Sequence, residues 1–312
     1  MADKTAFVFP GQGSQSVGML GDLADAYPQV RETFAEASEA LGDDLWNLTQ
    51  NGPAERLNQT DRTQPAMLVA GVAVWRVWQA RGGAEPDYMA GHSLGEYSAL
   101  VCSGALGFAD AVRLVAERGR FMQEAVPEGQ GAMAAVLGLD DAAVREVCAE
   151  VAQGAVVEAV NFNAPGQVVI AGNREAVDRA CEAAKAAGAK RALPLPVSVP
   201  AHSALMQPAS DRLAQVLADI QLDTPRIPVI HNVDVSLAGA PDAIRERLVK
   251  QVHNPVRWVE TVQWLAKQGV GRLVEAGPGK VLAGLTKRIE RGMAAQPVYD
   301  PTTLDKALNG EA

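Results

Sequence analysis

The sequence predicts an α/β protein built from a discontinuous body, residues 1–128 and 197–312, and an inserted unit, residues 129–196. Three observations support this division. A Gly-x-Ser-x-Gly turn joins a predicted strand to a predicted helix, the inserted unit follows the order βαββαβ, and a helix-rich α/β pattern resumes after it. A chain of 312 residues is also long enough to divide its core into two units.

The first part of the body contains the strand, turn and helix of a nucleophile elbow. Residues 5–9 are a β-branched and aromatic run that predicts a buried strand, and residues 64–81 place apolar side chains on one broad helical face. The apolar segment 88–90 runs through GHSLG, residues 91–95, into a helix, and a second helix is predicted over 108–125. We therefore expect an α/β-hydrolase-like body with a parallel sheet.

The inserted unit is predicted to be a ferredoxin-like subdomain, because its elements follow the split βαββαβ order. Its predicted strands are residues 132–137, 156–160, 167–171 and 190–195, and its predicted helices are 140–151 and 173–187. The body then continues with a helix over 203–220, a strand near 229, helices near 241–252 and 258–268, a strand over 272–275 and a helix from 280. The tail after Gly292 has little apolar periodicity and is expected to wrap the surface.

Composition and charge limit the classes of partner and the cellular location that we expect for the protein. Lys and Arg total 28 against 37 Asp and Glu, and the net charge of −9 argues against nonspecific binding to nucleic acid or to an anionic membrane. The longest apolar run, residues 66–75, is shorter than the roughly 20 residues that a membrane span needs. The first residues lack a signal-peptide pattern, so we expect a cytoplasmic protein, and we further expect it to be a monomer.

Cysteine and histidine spacing indicates neither disulfides nor a metal site. Cys102, Cys148 and Cys181 are odd in number and far apart, so we expect reduced core cysteines. No HExxH or similar spacing occurs among the histidines, which are His92, His202, His231 and His253. A metal enzyme is therefore not expected.

Ser93, at the centre of GHSLG, is the strongest candidate for a catalytic residue. Glycines on both sides remove Cβ atoms that would clash in so sharp a turn. The alternative is a helix-opening turn that Ser93 only caps. A serine nucleophile needs a base, usually histidine. His202 stands at a loop-to-helix junction suited to an exposed, site-lining residue, whereas His92 and His231 are interpreted as structural; position alone leaves the role of His202 open.

Two glycine-containing loops do not support a nucleotide cofactor. PGQGSQ, residues 10–15, could present backbone N–H groups to an anion, but Ser16 stands where G-x-G-x-x-G requires glycine. GPGK, residues 277–280, lacks the first glycine and the final Ser or Thr of a Walker loop. We interpret GPGK as a strand-to-helix turn.

Nine blocks distributed along the chain are typical of one enzyme family. They are FPGQGSQ (9–15), TQPA (63–66), GHSLGEYSAL (91–100), RGRFMQEAVP (118–127), GAMAAVLGL (131–139), NFNAPGQVVIAG (161–172), PLPVSVPAHSALM (194–206), HNPVRW (253–258) and EAGPGKVL (275–282). The sequence thereby resembles the malonyl-CoA:acyl carrier protein transacylases of fatty acid synthesis, relatives of the acyltransferase domains of polyketide synthases.

The resemblance implies a role for each of three residues in acyl transfer. Ser93 is implied to be the acylated nucleophile and His202 its general base. The backbone carbonyl of Gln251 is implied to orient the His202 ring, which agrees with the ability of a main-chain carbonyl to fix an imidazole tautomer. A dyad would then suffice, without a third carboxylate.

The resemblance also implies how the substrate is held. Arg118 would pair with the free carboxylate of the malonyl group, the backbone N–H groups of Gln12 and Leu94 would form the oxyanion hole, and Gln64 would line the pocket. Arginine suits a carboxylate because its planar guanidinium donates two parallel hydrogen bonds. From the helix pattern alone, Arg118 could equally be a solvated surface charge.

The activity implied is transfer of a malonyl group from malonyl-CoA to the phosphopantetheine thiol of acyl carrier protein, with the coenzyme A thioester as substrate and no cofactor. Two alternatives are a serine thioesterase or hydrolase that uses water, and a noncatalytic module that docks carrier protein. The related acyltransferase of malonate decarboxylation would use the same residues. Family carrier proteins are strongly acidic, so a local basic patch is expected; its candidate members are Lys190, Arg191, Lys280, Lys287 and Arg288.

Overall fold

The computed structural model describes residues 4–197 and 199–310, which form two β-sheets connected by helices. Within these residues the strands are β1 Lys4–Phe9, β2 Tyr88–Gly91, β3 Gly131–Leu137, β4 Val157–Ala164, β5 Gln167–Asn173, β6 Arg191–Pro194, β7 Val229–Ile230, β8 Val270–Ala276 and β9 Ala294–Val298. The helices are α1 Gly21–Ala26, α2 Pro28–Leu41, α3 Leu45–Asn51, α4 Ala54–Leu57, α5 Thr60–Ala80, α6 Gly95–Cys102, α7 Phe108–Glu124, α8 Asp141–Val151, α9 Arg174–Ala186, α10 Gln207–Ala218, α11 Pro241–Gln251, α12 Trp258–Lys267, α13 Val281–Ile289 and α14 Pro301–Asn309.

The larger sheet has five parallel strands in the order β7-β2-β1-β8-β9. Its central strand β1 is fully buried over residues 6–9, as expected for a parallel strand covered on both faces. Val8 lies opposite Ala90 of β2 and Glu275 of β8. Because the strands run parallel, their carboxyl ends share one edge of the sheet, and the loops that follow β1, β2, β7 and β8 begin at that edge.

Helix α5 packs against the larger sheet and supplies much of the core. The Trp75 and Trp78 rings meet Phe7 of β1 edge-on, with centroids 5.1 and 5.0 Å apart. A Cβ on Gly71 would come within 3.0 Å of the Phe9 ring, so the helix approaches the strand closely. Residues 63–75 are buried on all sides, a wider contact than the single apolar face that their spacing predicts.

The second sheet is antiparallel, with the strand order β4-β5-β3-β6. Along the chain its elements follow the order β3, α8, β4, β5, α9, β6. One face packs on α8 and α9 around a core of its own, in which Val136 and Ile170 meet Val144 and Val177. The alternation of side chains along the strands leaves a second apolar face for the neighbouring cavity.

The tail after Gly292 does not simply wrap the surface, so that expectation is wrong. Strand β9 joins the edge of the larger sheet in register with β8, where Leu273 lies opposite Ala295. Helix α14 follows, begins with a capping box at Asp300, and buries Leu304. Edge pairing uses backbone hydrogen bonds, which need no apolar periodicity in the sequence, and this explains why the pattern did not predict the strand.

Other expectations concern cysteines, membranes and metals. The three cysteines are free and buried, as expected. No helix in the described part of the chain is long and apolar enough to cross a membrane. Residues 4–197 and 199–310 also contain no group of three or more His, Cys, Asp or Glu side chains placed to hold a metal ion.

Candidate active site

Ser93 stands beyond the carboxyl end of β2, on the sharp turn that leads into α6. Its φ of 52° lies in the left-handed region. A Cβ on Gly91 would come within 1.8 Å of the Gly95 carbonyl carbon, and a Cβ on Gly95 within 2.0 Å of the Phe9 carbonyl oxygen. Close backbone approach therefore requires both glycines, which explains the spacing of GHSLG.

The Ser93 hydroxyl is paired with His202. Ser93 Oγ lies 2.7 Å from His202 Nε2, and His202 Nδ1 lies 2.7 Å from the Gln251 carbonyl oxygen. Because a carbonyl can only accept a hydrogen bond, Nδ1 carries the ring proton and Nε2 can accept the serine proton. Burial, together with the nearby Arg118 charge, lowers the pKa of His202 to about 3. The imidazole is therefore neutral at pH 7, as a general base must be.

His202 is 2% exposed, so the expectation of an exposed residue is wrong. Its backbone N–H donates to the Val252 carbonyl at 3.1 Å, which ties the segment before α10 to the end of α11. The hydrogen bond fixes the backbone that carries the ring, and the ring reaches Ser93, 109 positions away in the sequence.

Arg118, on α7, points into the site rather than to solvent and is 1% exposed. Its Nη1 donates to Gln64 Oε1 at 2.7 Å, and its Nη2 donates to Gln251 Oε1 at 3.0 Å and to Ser93 Oγ at 3.3 Å. The guanidinium lies over the Tyr97 ring, 5.3 Å from the centroid. No carboxylate of the described residues forms an ion pair with Arg118, and its buried Nε has no hydrogen-bond partner among them. A buried, unpaired cation favours an anionic ligand.

A cavity of about 510 Å³ opens beside Ser93, between the loops of the larger sheet and the second sheet. The predicted site residues that line it are Gln12, Gln64, Ser93, Leu94, Arg118 and His202. The second sheet contributes Met133, Asn161, Asn163 and Val169. Gln251 lies behind the cavity wall and contacts both Arg118 and His202. The volume is typical of a small-molecule site.

A serine paired with a neutral histidine, beside a buried arginine at the same cavity, could carry out acyl transfer through the serine. The family model described as "Acyl transferase domain" matches residues 6–303. The chain belongs to this acyl transferase family.

Curated and solved relatives of this acyl transferase span nearly its whole length. It is 64% identical over 303 residues to the malonyl CoA-acyl carrier protein transacylase of Escherichia coli K12, covering 97% of this chain and 98% of the relative. The Bacillus subtilis enzyme of the same name is 46% identical over 98% of this chain and 96% of its own. A solved complex of a type II polyketide acyl carrier protein with its malonyl-transacylase has a TM-score of 0.98 at 60% identity, covering 99% and 100% of the two chains. The Vibrio cholerae acyl carrier protein S-malonyltransferase gives 0.96 at 59% identity, covering 97% and 99%.

The other two candidate bases of the acyl transferase have different partners. His92 Nε2 lies 2.8 Å from Asn163 Oδ1, and its ring packs 5.6 Å from the Trp258 ring. Burial lowers the pKa of His92. His231 is buried, with Nδ1 2.7 Å from Glu96 Oε1. His92 also lines the cavity, so the structural roles predicted for the two histidines stay predictions.

Two residues of the acyl transferase site were missed by sequence reasoning. Asn232 Oδ1 accepts from the Ser93 N–H at 2.7 Å, and its Nδ2 donates to the Gly91 carbonyl at 2.7 Å, so Asn232 braces the turn. Glu96 is buried beneath the turn and accepts from the Asn232 N–H at 2.9 Å. The only sequence signal for Asn232 is its place just after β7, at the edge of the sheet where site loops gather.

Proposed function

We propose that this acyl transferase moves a malonyl group from malonyl-CoA to the phosphopantetheine thiol of acyl carrier protein, through an ester on Ser93. The observation that carries the proposal is Arg118, a buried cation without a carboxylate partner among the described residues, 3.3 Å from Ser93 Oγ. An acyl group that ends in a carboxylate would supply that partner. The names of the relatives from Escherichia coli and Bacillus subtilis support the same substrate and acceptor.

The reaction follows from the Ser93–His202 pair. His202 Nε2 removes the hydroxyl proton as Ser93 Oγ attacks the thioester carbonyl carbon, and the tetrahedral intermediate collapses with cleavage of the carbon–sulfur bond. The imidazolium then protonates the departing thiolate of coenzyme A. In the second half-reaction, His202 deprotonates the carrier thiol, which attacks the ester, and returns the proton to Ser93. The kinetics are ping-pong.

The oxyanion of both intermediates would be held by the backbone N–H groups of Gln12 and Leu94, which line the cavity. Leu94 caps the N-terminus of α6, where backbone N–H groups lack intrahelical partners. The adjacent amides of Ser93 and Gly95 are already used, by Asn232 Oδ1 and the His92 carbonyl. Each donor of an oxyanion hole contributes roughly 3 kcal/mol to transition-state stabilisation.

We also propose a domain division for the chain and a type for the turn at Ser93. The order β3, α8, β4, β5, α9, β6 supports a ferredoxin-like subdomain at residues 129–196, within a body at 1–128 and 197–312. The left-handed Ser93 between β2 and α6 supports a nucleophile elbow of the α/β-hydrolase type. The absence of a cofactor, the cytoplasmic location and the monomeric state stay predictions.

The thioesterase alternative differs from acyl transfer only in the acceptor, because a malonyl thioesterase would use the same serine, histidine and arginine. The docking alternative is less consistent with the site. A docking module needs no neutral histidine 2.7 Å from a serine hydroxyl. The curated relatives are named as transacylases, which favours transfer to carrier protein.

Intact mass spectrometry after incubation with malonyl-CoA tests the proposal directly. We expect one malonyl mass on the protein, mapped to Ser93, which persists without a thiol acceptor and disappears when holo-carrier protein is added. Rapid release of free malonate in the absence of carrier protein would instead indicate the hydrolase. Failure to form any adduct would reject acyl transfer through Ser93.

The predicted basic patch is only partly available to a partner. Arg288 donates to Gln167 Oε1 and to the Pro165 carbonyl, so it joins α13 to the second sheet. Lys280 and Lys287 are exposed, and neither forms an ion pair within the described residues. A Cβ on Gly279, just before Lys280, would lie 3.8 Å from the Ser14 carbonyl oxygen in the loop beside the cavity. Lys280 and Lys287 are therefore better test positions than Arg288.

Reversing both charges, Lys280→Glu with Lys287→Glu, should raise the KM for acyl carrier protein by about tenfold at low salt, because an acidic partner would meet negative charge. The KM for malonyl-CoA should change less. Lys267→Glu is the matched control, since this exposed lysine precedes β8 and lies toward the opposite edge of the sheet. An unchanged KM in the double variant, or an equal rise in the control, would remove this patch from the docking surface.

A further inference from the structure

Glu96 is a buried carboxylate that the mechanism above does not use. It lies in the first turn of α6, three residues after Ser93, and is 0% exposed. It forms no ion pair with a Lys or Arg of the described residues; its ionisable partner is His231. Burying a carboxylate is costly unless several donors satisfy it, so the donors around Glu96 indicate which groups it holds in place.

Three donors converge on the Glu96 carboxylate. Oε1 lies 2.7 Å from His231 Nδ1, and Oε2 accepts from the Asn232 N–H at 2.9 Å and from Gln251 Nε2 at 2.8 Å. The Gln251 amide thus connects Glu96 to the guanidinium, because its Oε1 accepts from Arg118 Nη2 at 3.0 Å. Glu96 is therefore one side chain removed from Arg118.

The Gln251 amide can occupy its place in only one orientation. Its Nε2 also donates to the Ser93 carbonyl at 3.0 Å, so the NH2 end lies between two acceptors. A flipped amide would place its oxygen against both acceptors and its NH2 group against the Arg118 guanidinium, which can only donate. The Glu96 oxygen is one of the three groups that oppose this flip, together with the Ser93 carbonyl and the guanidinium.

We propose that Glu96 is a positioning residue for acyl selectivity: by accepting from Gln251 Nε2, it keeps Gln251 Oε1 facing Arg118 and holds the guanidinium toward the acyl end of the cavity. The proposal rests on the function proposed above, in which Arg118 receives the malonyl carboxylate. Gln64 Oε1 holds Nη1 and Gln251 Oε1 holds Nη2, so both terminal nitrogens of Arg118 are fixed by amide oxygens. Acetyl transfer needs no such alignment, because acetyl has no distal carboxylate.

Two substitutions of Glu96 distinguish a role in orienting the Gln251 amide from a role in supporting the fold. Methionine has a similar length and no strong acceptor, whereas glutamine can place its oxygen at the Oε2 position and turn its NH2 toward His231 Nδ1, which accepts in the other neutral tautomer. We expect Glu96→Met to lower kcat/KM for malonyl-CoA about tenfold or more beyond its effect on acetyl-CoA, the scale of a hydrogen bond to a charged group. Glu96→Gln should keep the malonyl-to-acetyl ratio within about threefold of wild type.

Each other result overturns the proposal. Equal losses for both esters in Glu96→Met would mean that Glu96 only supports the fold or the Asn232 brace. The malonyl-to-acetyl ratio of kcat/KM could instead fall as far in Glu96→Gln as in Glu96→Met. That result would assign the effect to the negative charge rather than to the accepting oxygen. If wild type in the same assay forms no malonyl enzyme, the proposed function fails first, and the two failures are thereby distinguished.

Should Glu96→Met not fold, Gln251→Leu tests the same connection. This change removes the side-chain amide and keeps the main-chain carbonyl that accepts from His202 Nδ1. We expect the same fall in the malonyl-to-acetyl ratio, which is measured separately from any loss that both esters share. An unchanged ratio in Gln251→Leu would show that the amide does not align Arg118, and the role of Glu96 would be rejected.

Discussion

We expect the replacement of Ser93 with alanine to abolish covalent acylation by malonyl-CoA and to leave the fold intact. The change removes only Oγ, which is paired with His202 Nε2 at 2.7 Å, and keeps the Cβ that already occupies the left-handed turn. Asn232 should still brace the turn in the variant, because it contacts only the backbone N–H of Ser93 and the backbone carbonyl of Gly91. Incorporation of labelled malonyl groups, followed by intact mass spectrometry, measures the loss.

Ser98→Ala is the matched control for this experiment. Ser98 is a buried serine on α6, the helix that follows the turn, and its hydroxyl has no hydrogen-bond partner among the described residues. The control removes the same kind of atom five residues away, on the helix that follows the turn, and should label like wild type. Labelling of Ser93→Ala at the wild-type rate would show that another residue is the nucleophile.

We expect the replacement of Arg118 with alanine to lower kcat/KM for malonyl-CoA by about two orders of magnitude or more, the scale of losing the partner of a buried charge. Malonyl differs from acetyl by its distal carboxylate, and burying that charge without a partner costs several kcal/mol. Acetyl transfer should fall far less or rise. The measurement compares kcat/KM for the two coenzyme A esters, with circular dichroism to confirm folding.

Arg120→Ala provides the control for Arg118. Arg120 lies on the same helix two residues later, but its side chain is exposed and paired with Glu117 and Glu124. This variant should keep the preference for malonyl. If Arg118→Ala reduces both esters equally, Arg118 supports the structure or the common thioester chemistry, and its role in selectivity is withdrawn.

Much of the architecture was predictable because it depends on neighbours in the sequence. The run at residues 5–9 and the GHSLG turn were recognisable from β-branched residues and from glycines, and the structure has β1, β2 and α6 there. The alternating pattern at 129–196 likewise predicted each strand of the second sheet, and the two helices that pack on it, to within a few residues. Edge strand β9 was missed, since pairing with β8 rather than local pattern makes it a strand.

The residues of the candidate site could be proposed from the sequence, whereas their distances and their burial could not. Ser93 was identifiable from its motif, and the other members from the family resemblance. Nothing in the local sequence showed that His202 is buried, or that Arg118 lacks a carboxylate partner among the described residues. The contacts of Asn232 and Glu96 were not foreseen at all.

The sequence by itself determined most of the elements, the sharp turn at Ser93 and the family, because steric limits and side-chain periodicity act between residues close in the chain. Only the tertiary structure decided which charges and donors meet. Ser93 and His202 are 109 positions apart, and Arg118 and Gln251 are 133 apart. Their distances depend on how parallel strands gather their loops at one edge and how α11 returns to that edge, and burial there sets the pKa of His202 and the cost of an unpaired Arg118.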